Sequence, residues 1–503
     1  MIRRTLTLLC VLSVLAGAHA DLQADTSRPN IIVILCDDLG QGDPGCYNPE
    51  SKIPTPHMDR LANEGMRFND AHSPSAVCTP TRYSTLTGRY CWRTPLKKGV
   101  LWNGWAQALI EEERATIASM LEPFGYHSAA IGKWHIGWNW HSKTDKPITE
   151  KHHPAEAVDY SKPVMRGPLT LGFDHSYLIP ASVDMAPYLY LVDDLAQQAP
   201  TEQTPGSKRR WSGGEGFWRA GPMQPGFDFY GFLPATTEAA VAYIDGRAAA
   251  NRKAGETTPF FLYFPLPAPH TPWMPSEEFQ GDTQVGWYGD FVKQTDWSLG
   301  RVLAALDRNG IADNTLIVFT SDNGSHWPEE QIRAFDHDAN NGWRGQKADI
   351  HEAGHRVPFL VSWPAVIKPG TVSDQTVCLT DLFATAAQIV GHEMKDDEGE
   401  DSISLMPIFK GQATEPIREA TVHHSLRGMF AIRKGDWKLI LGLGSGGFTK
   451  VNTEAEKAAG FKGQLYNLKD DPQEKTNLWK DKPEVVEELT ALLEKYKADG
   501  RSR

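Results

Sequence analysis

Two continuous apolar runs constrain the fold of this chain more than any other sequence feature. Residues 30–36 and 315–320 consist almost entirely of β-branched, aliphatic and aromatic residues, the pattern of strands buried on both faces. Further apolar runs and helix-like stretches lie at 55–65, 129–132, 235–244, 260–264, 287–309 and 357–363. The sequence therefore predicts an α/β fold with a large, mostly parallel sheet that is flanked by helices.

Polar side chains follow these two runs where each strand is predicted to end. Asp37 and Asp38 come directly after the first run, and Asp322 and Asn323 follow the second. Ligands of open α/β sheets bind at the carboxyl ends of strands, and the oxygen donors favour calcium or magnesium over zinc. Taken alone, Asp37 and Asp38 fit better a turn with two solvated acids. Two such strand ends together make a cation site the more specific prediction.

Residues 78–89 predict a helix that begins with a cysteine. Pro80 suits the first helical turn, and Gly88 suits a left-handed cap at the far end. Cys78 would then lie at the positive end of the helix dipole, where an anionic nucleophile or a bound anion is favoured. Arg82 is one turn further on and can lean back toward the same point. The stretch indicates either an activated thiol with a cationic neighbour or an ordinary helix start with a buried cysteine.

Two further stretches place polar side chains after predicted strands. Lys133 and His135 follow the run at 129–132, and their spacing puts both on one side of an extended backbone. His270 lies in a loop that prolines stiffen on both sides, which suits a residue that must be aimed. Considered singly, each is described as well or better as a surface or packing residue.

The pattern Cys-x-Pro-x-Arg at 78–82, followed by Leu-Thr-Gly-Arg at 86–89, closely resembles the signature of the sulfatase family, with Thr81 in place of the commoner serine. The resemblance spans about residues 28–480 and points to the formylglycine-dependent, arylsulfatase-like enzymes. It implies an alkaline-phosphatase-like α/β fold with a mixed sheet. It also implies that a formylglycine-generating enzyme converts Cys78 to formylglycine (3-oxoalanine), and that calcium or magnesium is bound.

The resemblance implies a role for each matched residue. The hydrate of formylglycine at position 78 is the nucleophile, His135 is the base that releases sulfate, and His270 protonates the leaving oxygen. Arg82, Lys133 and Lys347 neutralise the charge of the sulfate oxygens. The catalytic residues implied are Cys78, Arg82, Lys133, His135, His270 and Lys347. The cation ligands implied are Asp37, Asp38, Cys78, Asp322 and Asn323.

The net charge and the N-terminal segment indicate which partners and which location the protein can have. Its 503 residues include 51 Lys and Arg against 63 Asp and Glu, a net charge of −12, which argues against a nucleic-acid partner. Residues 1–20 predict a secretory signal peptide, with a charged start, an apolar middle and a small-residue cleavage site. That apolar run is too short to span a bilayer. We therefore expect export to the periplasm or the medium, without a stable membrane anchor.

The cysteines beyond residue 20 are too sparse for a disulfide scaffold. They number five, so at least one is unpaired, and whether Cys46 or Cys91 forms a pair stays open at this point. These five cysteines are Cys36, Cys46, Cys78, Cys91 and Cys378.

The chain is predicted to hold two domains after the signal peptide. Residues 28–416 form the catalytic domain, and residues 417–503 form a small C-terminal α+β domain. The latter combines a helix that begins at Pro483, capped by Asp481, with short antiparallel strands. These strands are predicted at 429–432, 437–440 and 464–468. The sequence indicates nothing about the oligomeric state.

Two other groups of residues are candidates for contacts. The irregular segment 138–235 is predicted to cover one end of the sheet, and such loops usually carry specificity. Its candidate sugar contacts, for each of which the sequence favours packing over contact, are Trp138, Trp140, His175 and Asp184. His351, Glu352 and His355 have a zinc-like spacing, but a glycine and a proline nearby argue against the required helix, so we interpret them as structural.

The resemblance favours a secreted enzyme acting on a sulfated saccharide. Residues 428–433 and the glycine-rich stretch 444–447 look like bacterial relatives that act on sulfated sugars, some of which remove 6-sulfates from galactose or N-acetylgalactosamine. Three alternatives stay open, of which one is a chain that is catalytically silent in a host without the formylglycine-generating enzyme. A phosphonate or phosphodiester hydrolase of the same superfamily would use a related site, and a secreted glycan-binding protein would bind sugars without catalysis.

Overall fold

The computed structural model describes residues 28–153, 155–207 and 217–503. The predicted signal peptide at 1–20 lies outside the described residues. Within these ranges, no helix combines the length and the apolar character needed to cross a membrane. The five cysteines of the described chain are all unpaired, as expected of a chain without a disulfide scaffold.

The described residues form helices and strands that are mixed along the whole chain. The helices are α1 Pro56–Glu64, α2 Cys78–Thr87, α3 Ile117–Leu121, α4 Phe232–Ala254, α5 Gly286–Asn309, α6 Glu329–Phe335, α7 Glu352–His355, α8 Asp381–Val390, α9 Met406–Phe409, α10 Glu454–Ala458 and α11 Pro483–Ala498. The strands are β1 Asn30–Asp37, β2 Met66–Phe68, β3 Ala71–His72, β4 His127–Lys133, β5 His175–Ile179, β6 Leu191–Val192, β7 Leu195–Ala196, β8 Glu202–Thr204, β9 Gly221–Met223, β10 Phe260–Pro269, β11 Thr315–Ser321, β12 Phe359–Ser362, β13 Thr371–Ser373, β14 Val377–Cys378, β15 Thr421–His424, β16 Phe430–Lys434, β17 Trp437–Ile440 and β18 Gln464–Asn467.

The described residues form a ten-stranded central sheet in the order β13-β2-β12-β11-β1-β10-β4-β5-β6-β7. Its centre is parallel, since β1 pairs with β10 and β11, and β4 pairs with β10 and β5. Antiparallel pairs involve β12 on one side and the β5–β6–β7 meander on the other. The predicted mixed, mostly parallel sheet is therefore confirmed.

The alternation of side chains along β1 explains why helices cover both faces of the sheet. Ile32 and Ile34 belong to the core shared with α1, α4 and α5. Ile31, Val33 and Leu35 belong to the core shared with α2, α3 and α8. Because successive strand residues face opposite sides, a strand that is apolar throughout needs a hydrophobic layer on each face.

Two predicted boundaries are corrected by the structure. Helix α4 is longer than the predicted 235–244, because its alanine-rich second half continues to a left-handed cap at Gly255 (φ 67°). Helix α11 begins at Pro483 as predicted, but no side chain caps it. The predicted cap at Asp481 is wrong, since that residue lies in the preceding turn, where its N–H donates to the carbonyl of Leu478 (3.0 Å).

The C-terminal part is a small antiparallel sheet with one helix packed on it. Strands β15 to β18 pair in chain order, and Leu489 and Leu493 of α11 share a core with Ile432 and Leu439 of the sheet. This agrees with the predicted fold class and adds one strand, β15, that was not predicted. The boundary between residues 416 and 417 stays a prediction.

A buried ionic cluster joins this sheet to the larger part of the chain. Lys438 of β17 is fully buried, and its Nζ lies 3.0 Å from Glu352 Oε1 and 2.9 Å from Glu474 Oε1. The rings of His355 and His423 stack at 4.0 Å and are nearly parallel, at 6°. Among the described residues, His351, Glu352 and His355 do not bring their ligand atoms together into one possible metal group. The zinc-like spacing in α7 therefore has the structural role that the sequence favoured.

Helix α1 is capped by a residue from another helix. Asp296 of α5 accepts hydrogen bonds from the backbone N–H groups of His57 (3.1 Å) and Met58 (2.7 Å), whereas Thr55 at the N-cap makes no side-chain cap bond. Burial raises the pKa of Asp296 to about 7. Ionising this carboxyl in the folded protein therefore costs free energy that the unfolded chain does not lose.

This cost predicts a pH-dependent effect of Asp296→Asn. Aspartate in an unfolded chain ionises near pH ~4, so the contribution of Asp296 to stability is complete below about pH 4 and lost as the pH rises to about 7. We expect Asp296→Asn to exceed the parent in free energy of unfolding by about 1–3 kcal/mol above pH 7 and to match it near pH 4.

Chemical denaturation of both proteins at pH 4, 6 and 8 measures this difference. Asp307→Asn is the matched control, because Asp307 lies on the same helix but is 46% exposed. The control should show no comparable pH-dependent gain. An Asp296→Asn protein that is less stable than the parent at pH 8 would contradict the assigned ionisation cost.

Candidate active site

Strand register brings the polar strand ends together at one edge of the sheet. Cys36 of β1 lies opposite Ser321 of β11, and Asp37 of β1 lies opposite Pro269 of β10. The carboxyl ends of three neighbouring parallel strands, β1, β10 and β11, therefore lie side by side. This is the edge at which open α/β sheets bind ligands.

Helix α2 brings Cys78 to this edge. The helix begins at Cys78, buries all ten of its residues and ends at Gly88, which has a φ of 65°. A Cβ atom on Gly88 would lie 2.7 Å from the Cβ of Phe383. Both the backbone conformation and the packing therefore require the glycine that was predicted as the cap.

Cys78 and His135 contact each other. The Sγ atom lies 3.4 Å from Nδ1 of His135, whose Nε2 donates a hydrogen bond to the carbonyl oxygen of Leu101 (2.7 Å). Since Nε2 carries that proton, Nδ1 is an acceptor that faces Cys78. Burial lowers the pKa of His135 well below its usual range and raises the pKa of Cys78 to about 11. The interpretation as an activated thiol is therefore wrong for the unmodified cysteine.

Three carboxylates and one amide meet beside Cys78. Asp37, Asp38, Asp322 and Asn323 are at most 4% exposed, so the alternative of solvated acids in a turn is wrong. The Nδ2 group of Asn323 donates to Asp38 Oδ1 (2.7 Å). One ligand atom each of Asp37, Cys78 and Asp322 lies within 4.8 Å of the other two.

Two oxygen atoms of this group are suited to bind a cation. Asp37 Oδ1 and Asn323 Oδ1 are buried and have no hydrogen-bond partner among the described residues. An unsatisfied buried acceptor costs about 1–3 kcal/mol, which a bound cation would offset. Because the donors are carboxylate and amide oxygens, the residues fit calcium or magnesium.

Three cations balance the three carboxylates. The ion pairs are Arg82–Asp322 (2.8 Å), Lys347–Asp38 (2.7 Å) and Lys133–Asp37. Burial alone would raise the pKa of Asp37, but Lys133 and other cations lower it below its usual range. Burial and the charge of Asp37 raise the pKa of Asp322 to about 7. The balanced site can take up a divalent cation together with an anion without leaving a buried charge unpaired.

A cavity of about 380 Å³ opens onto this group, and Cys78 and Lys347 line it. His270 also lines it, with Nε2 3.8 Å from Asp38 Oδ2 and Nδ1 3.5 Å from the hydroxyl of Ser182. The structure thus brings every residue that the sequence predicted for catalysis or cation binding into one continuous group. Their catalytic and ligand roles stay predictions.

Several cavity residues were not predicted from the sequence. Trp102 and Phe448 line the cavity and are 51% and 43% exposed, and Arg219 and His326 lie on its wall. His326 stands three residues after Asn323, so the strand-end group was a signal that would have found it. The other three share no motif, because they come from loops that are distant in sequence.

The predicted sugar contacts divide into one cavity residue and three others. Asp184 lines the cavity. Trp138 and Trp140 are buried in the core, where each Nε1 donates to a backbone carbonyl. His175 lies at the amino end of β5 and pairs with Asp193 (2.7 Å). The sequence favoured packing over sugar contact at each of these positions. The structure agrees for the two tryptophans, which pack in the core, and for His175, which lies at the opposite end of its strand and stacks on Tyr243.

The fold and the site together place a buried, charge-balanced group of carboxylates and cations at the carboxyl edge of an α/β sheet, with Cys78 at the start of a helix beside it. The model of the family described as Sulfatase matches residues 29–392, and a model described as N-sulphoglucosamine sulphohydrolase, C-terminal, matches residues 340–499. The chain belongs to the sulfatase family and is a sulfuric ester hydrolase. The resemblance noted in the sequence is confirmed.

Particular relatives are similar over most of the chain. An N-acetylgalactosamine-6-O-sulfatase of Bacteroides thetaiotaomicron is 32% identical over 526 residues, which covers 99% of each chain. Human steryl-sulfatase is 32% identical over 461 residues and covers 83% of this chain and 75% of its own. A solved structure from work on the metabolism of multiple glycosaminoglycans by Bacteroides thetaiotaomicron is 29% identical, with a TM-score of 0.78 and coverage of 94% of this chain and 100% of that one.

Proposed function

We propose that this protein hydrolyses the sulfate ester of a carbohydrate, with the 6-sulfates of N-acetylgalactosamine and galactose as first candidates. The observation that carries the proposal is the similarity, over 99% of both chains, to an N-acetylgalactosamine-6-O-sulfatase. The cavity supports it, because the exposed rings of Trp102 and Phe448 offer apolar faces to a sugar in the same space as Cys78.

In the proposed mature enzyme, a formylglycine-generating enzyme has converted Cys78 to formylglycine. When present, the hydrated aldehyde supplies one hydroxyl that attacks sulfur and a second that allows sulfate to be released. His135 Nδ1 faces position 78 without a proton of its own, so it accepts the proton that this release requires. The bond from Nε2 to Leu101 holds the ring in that orientation.

The cations of the site bind the sulfate group, and His270 acts on the leaving group. Arg82, Lys133 and Lys347 already balance the carboxylates, so they neutralise sulfate oxygens when a divalent cation shares those carboxylates. His270, on the cavity wall, donates a proton to the departing sugar oxygen. Such acid–base help contributes ~10²–10⁴-fold to the rate.

Asp37, Asp38, Asp322 and Asn323, together with position 78, would hold the cation. We favour calcium over magnesium, and the unpartnered oxygens of Asp37 and Asn323 support a cation here. When bound, the ion polarises the sulfate oxygens and favours attack at sulfur. We also propose that the chain is exported, to the periplasm or the medium, as residues 1–20 predict.

Sulfate release from defined saccharides tests the proposed function. The chain is co-expressed with a formylglycine-generating enzyme and assayed on 6-sulfated N-acetylgalactosamine, 6-sulfated galactose, 6-sulfated N-acetylglucosamine and 4-sulfated N-acetylgalactosamine. We expect the kcat/KM of one of the two 6-sulfated galacto-configured sugars to exceed that of the 4-sulfated isomer by at least about 10-fold. A mature enzyme that releases sulfate from none of these sugars would contradict the proposal.

The same assay, extended to other esters, separates two of the three alternatives. Phosphate monoesters and diesters are tested in parallel, and a clear preference for a diester would favour the phosphonate or phosphodiester hydrolase. A glycan-binding protein without catalysis would keep its glycan affinity in Cys78→Ala and would release no sulfate at any calcium concentration.

A further inference from the structure

Arg219 is held in a preset position on the cavity wall. Its backbone N–H donates to the carbonyl of Asp184 (3.1 Å), and its own carbonyl accepts from the hydroxyl of Tyr188 (2.7 Å). Its Nη1 group donates to the carboxylate of Asp184 (2.5 Å) and to the carbonyl of the same residue (3.1 Å). Asp184 and Tyr188 are 5% and 2% exposed, so the guanidinium is anchored on a rigid support.

The same guanidinium keeps donors that the protein does not use. An arginine carries five N–H donors in a planar fork, and those of Arg219 Nε and Nη2 have no partner among the described residues. The side chain is 38% exposed and lines the cavity that also contains Cys78 and Lys347. An oriented fork with an unused edge is suited to two oxygen atoms of a ligand.

The net charge of the Arg219–Asp184 pair indicates what kind of ligand oxygen the free edge of the guanidinium would bind. Asp184 neutralises Arg219, so the pair as a whole carries no net charge, and a second anionic group on the ligand would approach a carboxylate. Neighbouring hydroxyls of a neutral sugar ring meet no such penalty. The exposed rings of Trp102 and Phe448 in the same cavity also favour a neutral ring with apolar faces.

On the basis of the proposed function, we propose that Arg219 determines specificity by donating hydrogen bonds to hydroxyl groups of the sugar ring that carries the sulfate. Asp184 is the positioning residue that holds the guanidinium. This assigns recognition of the sugar to a pair of side chains separate from the group that contacts the sulfate. Substrates with a sulfate but no sugar should therefore not depend on it.

The test compares two substrates in the mature enzyme. One is the 6-sulfated sugar that the parent prefers, and the other is 4-nitrophenyl sulfate, which carries the reacting group but no ring hydroxyl. We expect Arg219→Ala to lower kcat/KM for the sugar by about 10- to 100-fold and to change it for the aryl sulfate by less than about 2-fold. Arg219→Lys keeps the positive charge, and Asp184→Asn keeps the arginine. Each should therefore lower kcat/KM for the sugar less than Arg219→Ala does, and should again leave kcat/KM for the aryl sulfate nearly unchanged.

Arg301→Ala is the matched control. Arg301 is 40% exposed, pairs with Glu238 and lies over the ring of Trp297 at 5.7 Å. Arg219 likewise pairs with a carboxylate and lies over the ring of Phe217 at 5.2 Å, so Arg301 repeats these contacts outside the cavity. It should leave both substrates unaffected. Equal losses on both substrates in Arg219→Ala would mean that the pair is only structural and would overturn the inference.

Two other outcomes separate this inference from the proposed function. If Arg219→Ala hydrolyses the sulfated sugar as well as the parent does, the inference about Arg219 is overturned and the proposed function stands. A parent that hydrolyses the aryl sulfate but no sulfated sugar would overturn the proposed substrate class and this inference with it. Calorimetric binding of the desulfated sugar gives a readout without catalysis, in which we expect Arg219→Ala to bind at least about 10-fold more weakly than the parent.

Discussion

Replacing Cys78 with alanine is expected to lower sulfate release by the mature enzyme roughly 10⁴-fold or more. The side chain at this position lies 3.4 Å from the acceptor nitrogen of His135 and beside the carboxylates of Asp37 and Asp322. Its removal deletes the proposed nucleophile while leaving the proposed base and the charged groups in place. The measurement is kcat on 4-nitrophenyl sulfate and on the preferred sugar, with thermal unfolding to establish that the variant is folded.

Cys46→Ala is the matched control for this substitution. Cys46 is a half-buried, unpaired thiol outside the site, and its replacement removes the same atoms. We expect it to keep parental activity. Mass spectrometry of the peptide that contains position 78 completes the experiment. An intact thiol at Cys78 throughout a fully active sample would contradict the proposed maturation.

Removing divalent cations with EDTA is expected to lower sulfate release roughly 100-fold or more, because the ion contributes several kcal/mol of charge stabilisation. We expect calcium to restore activity more fully than magnesium. The midpoint of thermal unfolding should also fall on chelation, since an ion that binds the folded state stabilises it. Without the ion, Asp37 Oδ1 and Asn323 Oδ1 are buried acceptors that no described residue satisfies.

Asp322→Asn should reproduce much of the effect of chelation, since it removes one charge from the cation site and weakens the pair with Arg82. Asp290→Asn is its matched control, because Asp290 is equally buried but its carboxylate accepts hydrogen bonds from the backbone N–H groups of Gly281 and Thr283 and belongs to no part of the site. The control should lose stability and still respond to EDTA. Full activity after exhaustive chelation would contradict the proposed cation.

The site residues that follow strands were predictable because their position is a local property of the chain. Asp37 and Asp322 stand directly after apolar runs, and the ends of parallel strands in one sheet must meet at one edge. Cys78 was predictable because it opens a helix whose last residue is followed by Gly88. Each of these predictions needs only the pattern of a dozen neighbouring residues.

Other features depend on contacts with residues that are distant in the sequence, and no local sequence pattern predicts these contacts. Trp138 and His175 were candidates for either packing or sugar contact, and only the structure places one in the core and the other at the amino end of β5. Asp296 caps α1 although 239 positions separate it from His57. Arg219 was not predicted at all, since its meaning comes from Asp184 and from the cavity that both line.

The sequence by itself determined the α/β class, the central parallel strands, the membership in the sulfatase family and the edge of the sheet at which the site residues lie. Periodicity, strand ends and a helix start are written in contiguous residues, and parallel strands align those ends. The tertiary structure alone decided which side chains form the wall of the cavity, which carboxylates are buried and paired, and which aromatic residues are exposed. The reason is physical: burial, charge balance and hydrogen-bond satisfaction are set by contacts between segments that lie far apart in the chain.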